Sequence, residues 1–167
     1  MNIKLSEKYL DKAIDDAFKN SVAFTNWFLS KTKFADQNAS YIWSRSDHPW
    51  CRMKILIQDI ETGLQREEER DCETDILVVF ETENKTRFAL HIENKLADGH
   101  FTQYQPEMYA QRAALWQGQD KWQNYSDFET ILIAPTVFFE KNKASAEVFD
   151  RFISYEEIAE FIPQFKP

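Results

Sequence analysis

Apolar residues recur at helical spacing from residue 5 to about residue 31: Leu5, Tyr9, Ile14, Ala17, Phe18, Phe24, Phe28 and Leu29 fall along one helix. Ser6 followed by Glu7 offers a start, and Asn20-Ser21 is where the pattern can break. Residues 35–50 are polar and aromatic, include Pro49, and read as a connection. The period then changes. Met53, Ile55 and Ile57 alternate within 52–60, which predicts a strand, and Gly63 marks a turn into a charged stretch. Two stronger strands are expected at 74–81 and 86–95, then a helix over 102–116. A strand over 130–135 and a last helical region over 144–161 complete the chain. This order, roughly α-β-β-β-α-β-α, predicts an α/β protein with a central mixed β-sheet flanked by helices, as a single domain over 1–167.

Between the two strongest strands lies Thr82-Glu83-Asn84-Lys85-Thr86, a polar run suited to a hairpin turn. A turn centred on Asn84 makes Phe80 face Phe88, Val78 face Leu90 and Ile76 face Ile92, so one side of the hairpin is apolar. On the other side Glu81 meets Arg87, and Asp75 meets Glu93. A slip by one residue would turn the apolar set away from the core, which fixes this parity. Alternation then places His91, Glu93 and Lys95 on the face of Asp75. Opposed carboxylates roughly 5 Å apart at Cβ repel unless a cation or proton joins them. The tripeptide Glu-Asn-Lys occurs twice, at 83–85 and 93–95. Only the second has an acid across from it; the first belongs to the turn.

On the helix that follows, Gln105 and Tyr109 are four residues apart and share a face, which Arg112 and Trp116 continue. Tyr104, Met108 and Leu115 mark the neighbouring side, expected toward the sheet. Thr102 and Gln105 also fit a Thr-x-x-Gln capping box, with Pro106 in the first turn. Gln105 therefore has both a capping and a functional reading.

Composition narrows the function classes. The chain has 167 residues, 43% of them hydrophobic and only 3 Gly, which suits one packed core rather than a disordered chain. Its longest apolar runs, 76–80 and 131–134, are strand-sized and too short to span a membrane. No signal-peptide pattern follows the first residues, and Cys51 and Cys72 lack a CxxC partner, so a cytoplasmic protein with reduced thiols is expected. The net charge of −8 argues against a uniformly basic nucleic-acid surface. Much of that excess is local, in Glu67-Glu68-Glu69, Asp71 and Glu73. Arg112, Lys121 and Lys141–Lys143 are the residues that could form a basic patch.

Asp75, then Glu93-x-Lys95, then Gln105-x-x-x-Tyr109, in that order, resemble the PD-(D/E)xK nuclease superfamily and, within it, the RecB-like branch with a QxxxY motif on the helix after the catalytic strand. The motif-bearing region covers residues 74 to 117. Thr74 stands where the family often has Pro. The resemblance implies a restriction-endonuclease-like core and a metal-dependent deoxyribonuclease, acting in DNA processing or in defence. It implies that Asp75, Glu93 and the backbone carbonyl of Asn94 bind Mg²⁺ or Mn²⁺, hard cations that prefer oxygen ligands. Lys95 would position water or stabilise charge on the scissile phosphate, while Gln105 and Tyr109 would orient Lys95 or the DNA backbone. Many RecB-type members add an upstream acid or histidine; Asp15, Asp16 and Glu61 are the candidates in this chain. His91, although on the same face, reads as a buried, hydrogen-bonded histidine.

The alternative from a different class is a catalytically inactive binding or regulatory module that keeps the nuclease fold, a reading favoured by the acidic surface. Strandedness, end or internal cutting, DNA or RNA, and a protein partner or homo-oligomer are left open by the sequence.

Overall fold

The computed structural model describes residues 5–167; residues 1–4, part of the stretch read for a leader sequence, lie outside the described residues. Ser6 caps the first helix, α1 (Glu7–Asn20), by accepting the Tyr9 backbone N–H at 3.2 Å. The expected long helix ends at Asn20. Ser21, in extended conformation, caps α2 (Val22–Ser30) by accepting the Phe24 N–H at 3.1 Å. Serine at this position satisfies an N–H that a helix start leaves unpaired, which is why one pattern yields two helices.

Five strands form a mixed sheet. β1 (Ser40–Arg45) occupies an edge and is antiparallel to β4 (Ile76–Glu81), which pairs antiparallel with β5 (Arg87–Asn94). β6 (Asp127–Ala134) and β7 (Arg151–Ser154) then add in parallel. The predicted hairpin register holds residue by residue: Phe80 faces Phe88, Val78 faces Leu90, Ile76 faces Ile92 and Glu81 faces Arg87. The first Glu-Asn-Lys is the turn, closed by the Thr82 N–H on Thr86 O at 2.8 Å.

Each face of this sheet is covered. Ile76, Val78, Phe80, Phe88, Leu90, Ile92, Ile131 and Ile133 pack against Leu10, Ile14 and Phe18 of α1 and Phe24 and Phe28 of α2. Leu77, Val79 and Ala89 point the other way, toward Trp116 of α3 (Gln105–Trp116), Trp122 and Tyr125. Full burial of side chains of this size contributes about 1.5–3 kcal/mol each, and the two opposed apolar layers fix which strand residues face α3.

A second, two-stranded sheet joins β2 (Trp50–Gln58) to β3 (Gln65–Glu73). Its inner side, Met53, Ile55, Ile57 and Cys72, packs on Met108 of α3 and on Tyr104, which precedes that helix. The Gln111 side chain pairs with both backbone groups of Leu56, accepting its N–H at 2.7 Å and donating to its C=O at 2.9 Å. An amide thus continues the ladder at the ribbon edge. Three expectations are corrected by these elements. Residues 35–50 contain an edge strand rather than only a connection. The charged stretch after Gly63 is a strand whose Arg and Glu side chains pair with one another, as in Arg70 to Glu68 at 2.7 Å. The last helical region, 144–161, is broken into α5 (Lys143–Ala146), β7 and α6 (Tyr155–Ile158), and a further short helix, α4 (Thr136–Lys141), precedes it. Tyr104, at the N-cap of α3, and Met108 face the ribbon and Leu115 is exposed, while Tyr109, Ala113 and Trp116 face the main sheet.

Candidate metal-binding and catalytic site

The C-terminal end of β5, the start of α3 and the inner face of α1 meet around Glu93. This residue is 1% exposed, and its carboxylate takes three partners. Lys95 Nζ lies 2.9 Å from Oε1, Gln105 Nε2 donates to the same oxygen at 2.9 Å, and the Tyr109 hydroxyl donates to Oε2. The strand places Glu93 and Lys95 two residues apart on one face, and the helix places Gln105 and Tyr109 one turn apart opposite them. Gln105 also serves its turn: its Oε1 accepts the Thr102 N–H at 3.1 Å. Only this half of the predicted capping box forms. The helix N-cap is Tyr104, with no side-chain cap, in the left-handed region at φ 62°.

Asp75 sits at the entry of β4, buried, with Oδ2 accepting the Asn94 backbone N–H at 2.9 Å. Its own N–H donates to the Tyr109 hydroxyl oxygen at 3.2 Å. Tyr109 therefore ties the two acids that the hairpin register predicts to be opposed. The Asn94 side chain adds a third acid, donating from Nδ2 to Asp11 Oδ1 at 2.8 Å while its Oδ1 accepts from Tyr155.

Asp11 is fully buried on α1, and His48 reaches it from the loop between β1 and β2. His48 Nε2 lies 2.8 Å from Asp11 Oδ2, and Nδ1 lies 3.2 Å from Glu73 Oε1 and 3.6 Å from Asp75 Oδ1. One ligand atom each from Asp11, His48 and Asp75 fall within 4.8 Å of one another. His48 holds a left-handed φ of 55° immediately before Pro49, a conformation uncommon for a residue with a Cβ.

The electrostatics follow from this crowding. Burial first, then the charges of Glu93 and Asp11, push the Asp75 carboxyl well above the usual carboxylate range. The hydrogen bond to Asp11 leads the effects that raise His48 to about 9, against the opposing cost of burial. Burial also opposes charge on Lys95, but Glu93, Glu7 and Asp75 outweigh it and hold the ammonium above its ordinary value. The cluster carries surplus negative charge, compensated in part by two cationic side chains.

Behind Asp75 runs a polar chain with one consistent proton assignment. Arg112 Nε donates to Thr74 Oγ1 at 2.8 Å, Thr74 Oγ1 lies 3.0 Å from His91 Nδ1, and His91 Nε2 lies 3.0 Å from Tyr125 Oη. Tyr125 donates to Ala113 O at 2.5 Å, so its oxygen accepts from His91, which in turn accepts from Thr74. His91 is thereby neutral, and burial followed by the Arg112 charge keeps it so, well below its ordinary pKa. It is the buried structural histidine expected from the sequence.

Asp75, Glu93, Asn94, Lys95, Gln105 and Tyr109 are thus brought together. The upstream candidates are not: Asp15 bonds Ser46 at 2.9 Å, Ser44 and Lys19, joining α1 to β1 and its following loop; half-buried Asp16 pairs with Lys12, and Glu61 lies in the exposed β2–β3 turn. The acid and the histidine that do lie beside Asp75 are Asp11 and His48. The spacing Glu7, Asp11, Asp15 marks an acidic line beside the buried Leu10, Ile14 and Phe18, a signal the sequence contained. Nothing in the pattern around His48 singles it out. Arg112 is buried and contributes nothing to a surface basic patch.

Against known proteins, no family model, no curated protein and no solved structure matches this chain. The structure defines an α/β protein with a five-stranded mixed sheet, and none of its described helices is long and apolar enough to cross a membrane.

Proposed function

We propose that the chain is a metal-dependent deoxyribonuclease with a restriction-endonuclease-like core. The observation that carries this reading is the convergence of Lys95, Gln105 and Tyr109 on Glu93, beside the buried Asp11–His48–Asp75 group. The donors suit a divalent cation: two buried carboxylates and an imidazole within mutual reach, with an Asp75 carboxyl raised first by burial and then by the neighbouring acids. Asp75 belongs both to this group and to the set implied by the motif. Asp11 and His48 complete it on one side, and Glu93 lies on the other. A bound Mg²⁺ or Mn²⁺ supplies Lewis acidity toward water and a phosphate oxygen.

The chain's own residues supply the rest. Lys95, 8% exposed and held charged, cannot serve as a general base at neutral pH; it stabilises negative charge developing on the scissile phosphate. Glu93 fixes the ammonium, and Gln105 and Tyr109 fix Glu93, so the lysine is aimed before substrate arrives. His48 must lose its proton to act as a ligand. The acidity of the ribbon is partly cancelled where it stands, by Arg52 on Asp71 at 3.1 Å and on Glu69 at 3.5 Å, and by Arg66 on Glu68 at 2.6 Å.

The test is incubation with labelled single-stranded, linear duplex and circular duplex DNA, with Mg²⁺, Mn²⁺ or EDTA. Cutting that requires metal supports the enzyme. Metal uptake without cutting of any substrate supports the inactive binding module instead.

A further inference from the structure

Arg112 is the one buried polar side chain among the described residues with an unpartnered nitrogen. It is 1% exposed; its Nε is used by Thr74, yet Nη2 has no hydrogen-bond partner. The guanidinium lies 4.3 Å from the Tyr109 ring centroid and 5.9 Å from that of Trp116, which offsets part of its desolvation. Aromatic faces do not accept its in-plane N–H groups. A buried cation left so is costly, and the usual remedy is an anion.

A cavity of about 200 Å³ borders this side chain, lined also by Asp71, Cys72, Glu73, Thr102, Gln105 and Met108. Its two carboxylates share their cationic partners: Asp71 pairs with Arg52 at 3.1 Å, which also meets Glu69, and Glu73 with His48 at 3.2 Å, which also meets Asp11. Arg112 is the cation at the wall with an unpartnered nitrogen. Two lining residues reach the candidate site, Glu73 through His48 and Gln105 through Glu93. The volume falls below the ~300–1,000 Å³ of pockets that enclose a drug-sized molecule and suits a small group such as a phosphoryl group with water.

We infer that this cavity is an oxyanion subsite in which Arg112 receives a phosphoryl group, placed beside the Glu93–Lys95 centre. The inference rests on the nuclease reading for its choice of phosphate among oxyanions. Guanidinium donors match phosphate oxygens in geometry and charge, and a phosphoryl group can reach the site from a strand end or free in solution. Thr102, exposed at the cavity, leaves a route of entry.

The test uses the whole chain in EDTA, so that binding is read without turnover. Inorganic phosphate is titrated and followed by ³¹P line broadening. Oligonucleotides ending in phosphate or in hydroxyl are compared by fluorescence anisotropy. Wild type is expected to bind phosphate saturably, and Arg112→Gln at least about tenfold more weakly. Because Arg112 is buried, Thr102→Glu provides a second variant on an exposed residue: its carboxylate competes for the guanidinium and lowers phosphate binding by a similar factor. Tighter binding of the phosphate-ended strand identifies a strand end as the source; binding of inorganic phosphate without that preference identifies the free ion. No saturable binding by wild type, or binding unchanged in both variants, overturns the subsite and leaves the cavity to water. Metal-dependent DNA cutting without phosphate binding overturns this inference alone. Phosphate binding without any metal-dependent cutting keeps the subsite and removes the nuclease reading.

Discussion

His48 Nε2 lies 2.8 Å from Asp11 Oδ2, joining the loop before β2 to the buried face of α1. The contact makes the stability of the metal-free protein depend on pH. His48 has its folded pKa raised from 6.5 to about 9, so its contribution is complete below pH 6.5 and is lost as pH rises through about 9. The raised Asp75 carboxyl has the same sign, since the folded state holds its proton more tightly than the unfolded chain does. In EDTA, urea unfolding should therefore show stability falling between pH 6.5 and 9. The His48 share is on the order of 2 kcal/mol once solvent on the open side of the ring is allowed for. A His48→Gln variant should flatten most of that slope.

Metal uptake should release a proton. At pH 7 the imidazole is charged, and ligation needs it neutral, so about one proton per ion is expected to leave from His48, beside any that the raised Asp75 carboxyl gives up. Calorimetry in two buffers of different ionisation enthalpy measures this number, and its His48 share should fall toward zero above pH 9.

Asp11 and Asp15 separate the two accounts of the upstream ligand. Asp11→Asn should weaken Mn²⁺ binding by about tenfold or more, since it removes a charged ligand from the group. Asp15→Asn should leave affinity unchanged and lower stability instead, because Asp15 joins α1 to Ser44 and Ser46.

Lys95→Ala should reduce DNA cleavage by about 10²–10³-fold, the usual scale for losing a donor aimed at transition-state charge. Metal binding should persist, because Lys95 is not among the ligand atoms. Circular dichroism of the variant checks that the lost rate is not lost fold.

Tyr109→Phe removes both the donor to Glu93 and the acceptor for the Asp75 N–H. Leaving buried groups unsatisfied costs about 1–3 kcal/mol, to be read as a lower urea midpoint with unchanged slope.

The sequence revealed the hairpin most clearly, because period-two alternation on both strands leaves one workable register, and Asp75, Glu93 and Lys95 came with it. Gln105 and Tyr109 were legible from helical spacing alone. What escaped had no local signature. β3 carries charges on both sides, and its pairing with β2 is set by Met53, Ile55 and Ile57 packing on Met108. The edge strand β1 holds Tyr41, Ile42 and Trp43 together, without alternation to mark it. Asp11 and His48 lie far along the chain from Asp75 and meet only when α1 packs on the sheet.

A Mn²⁺ titration read by loss of the free-ion electron paramagnetic resonance signal, on wild type and Asp75→Asn, addresses the cation site most directly. Wild type should take up Mn²⁺ saturably, with Mg²⁺ competing, and Asp75→Asn should bind at least about tenfold more weakly. No uptake by wild type, or equal uptake by the variant, would contradict a divalent-cation site at Asp11, His48 and Asp75.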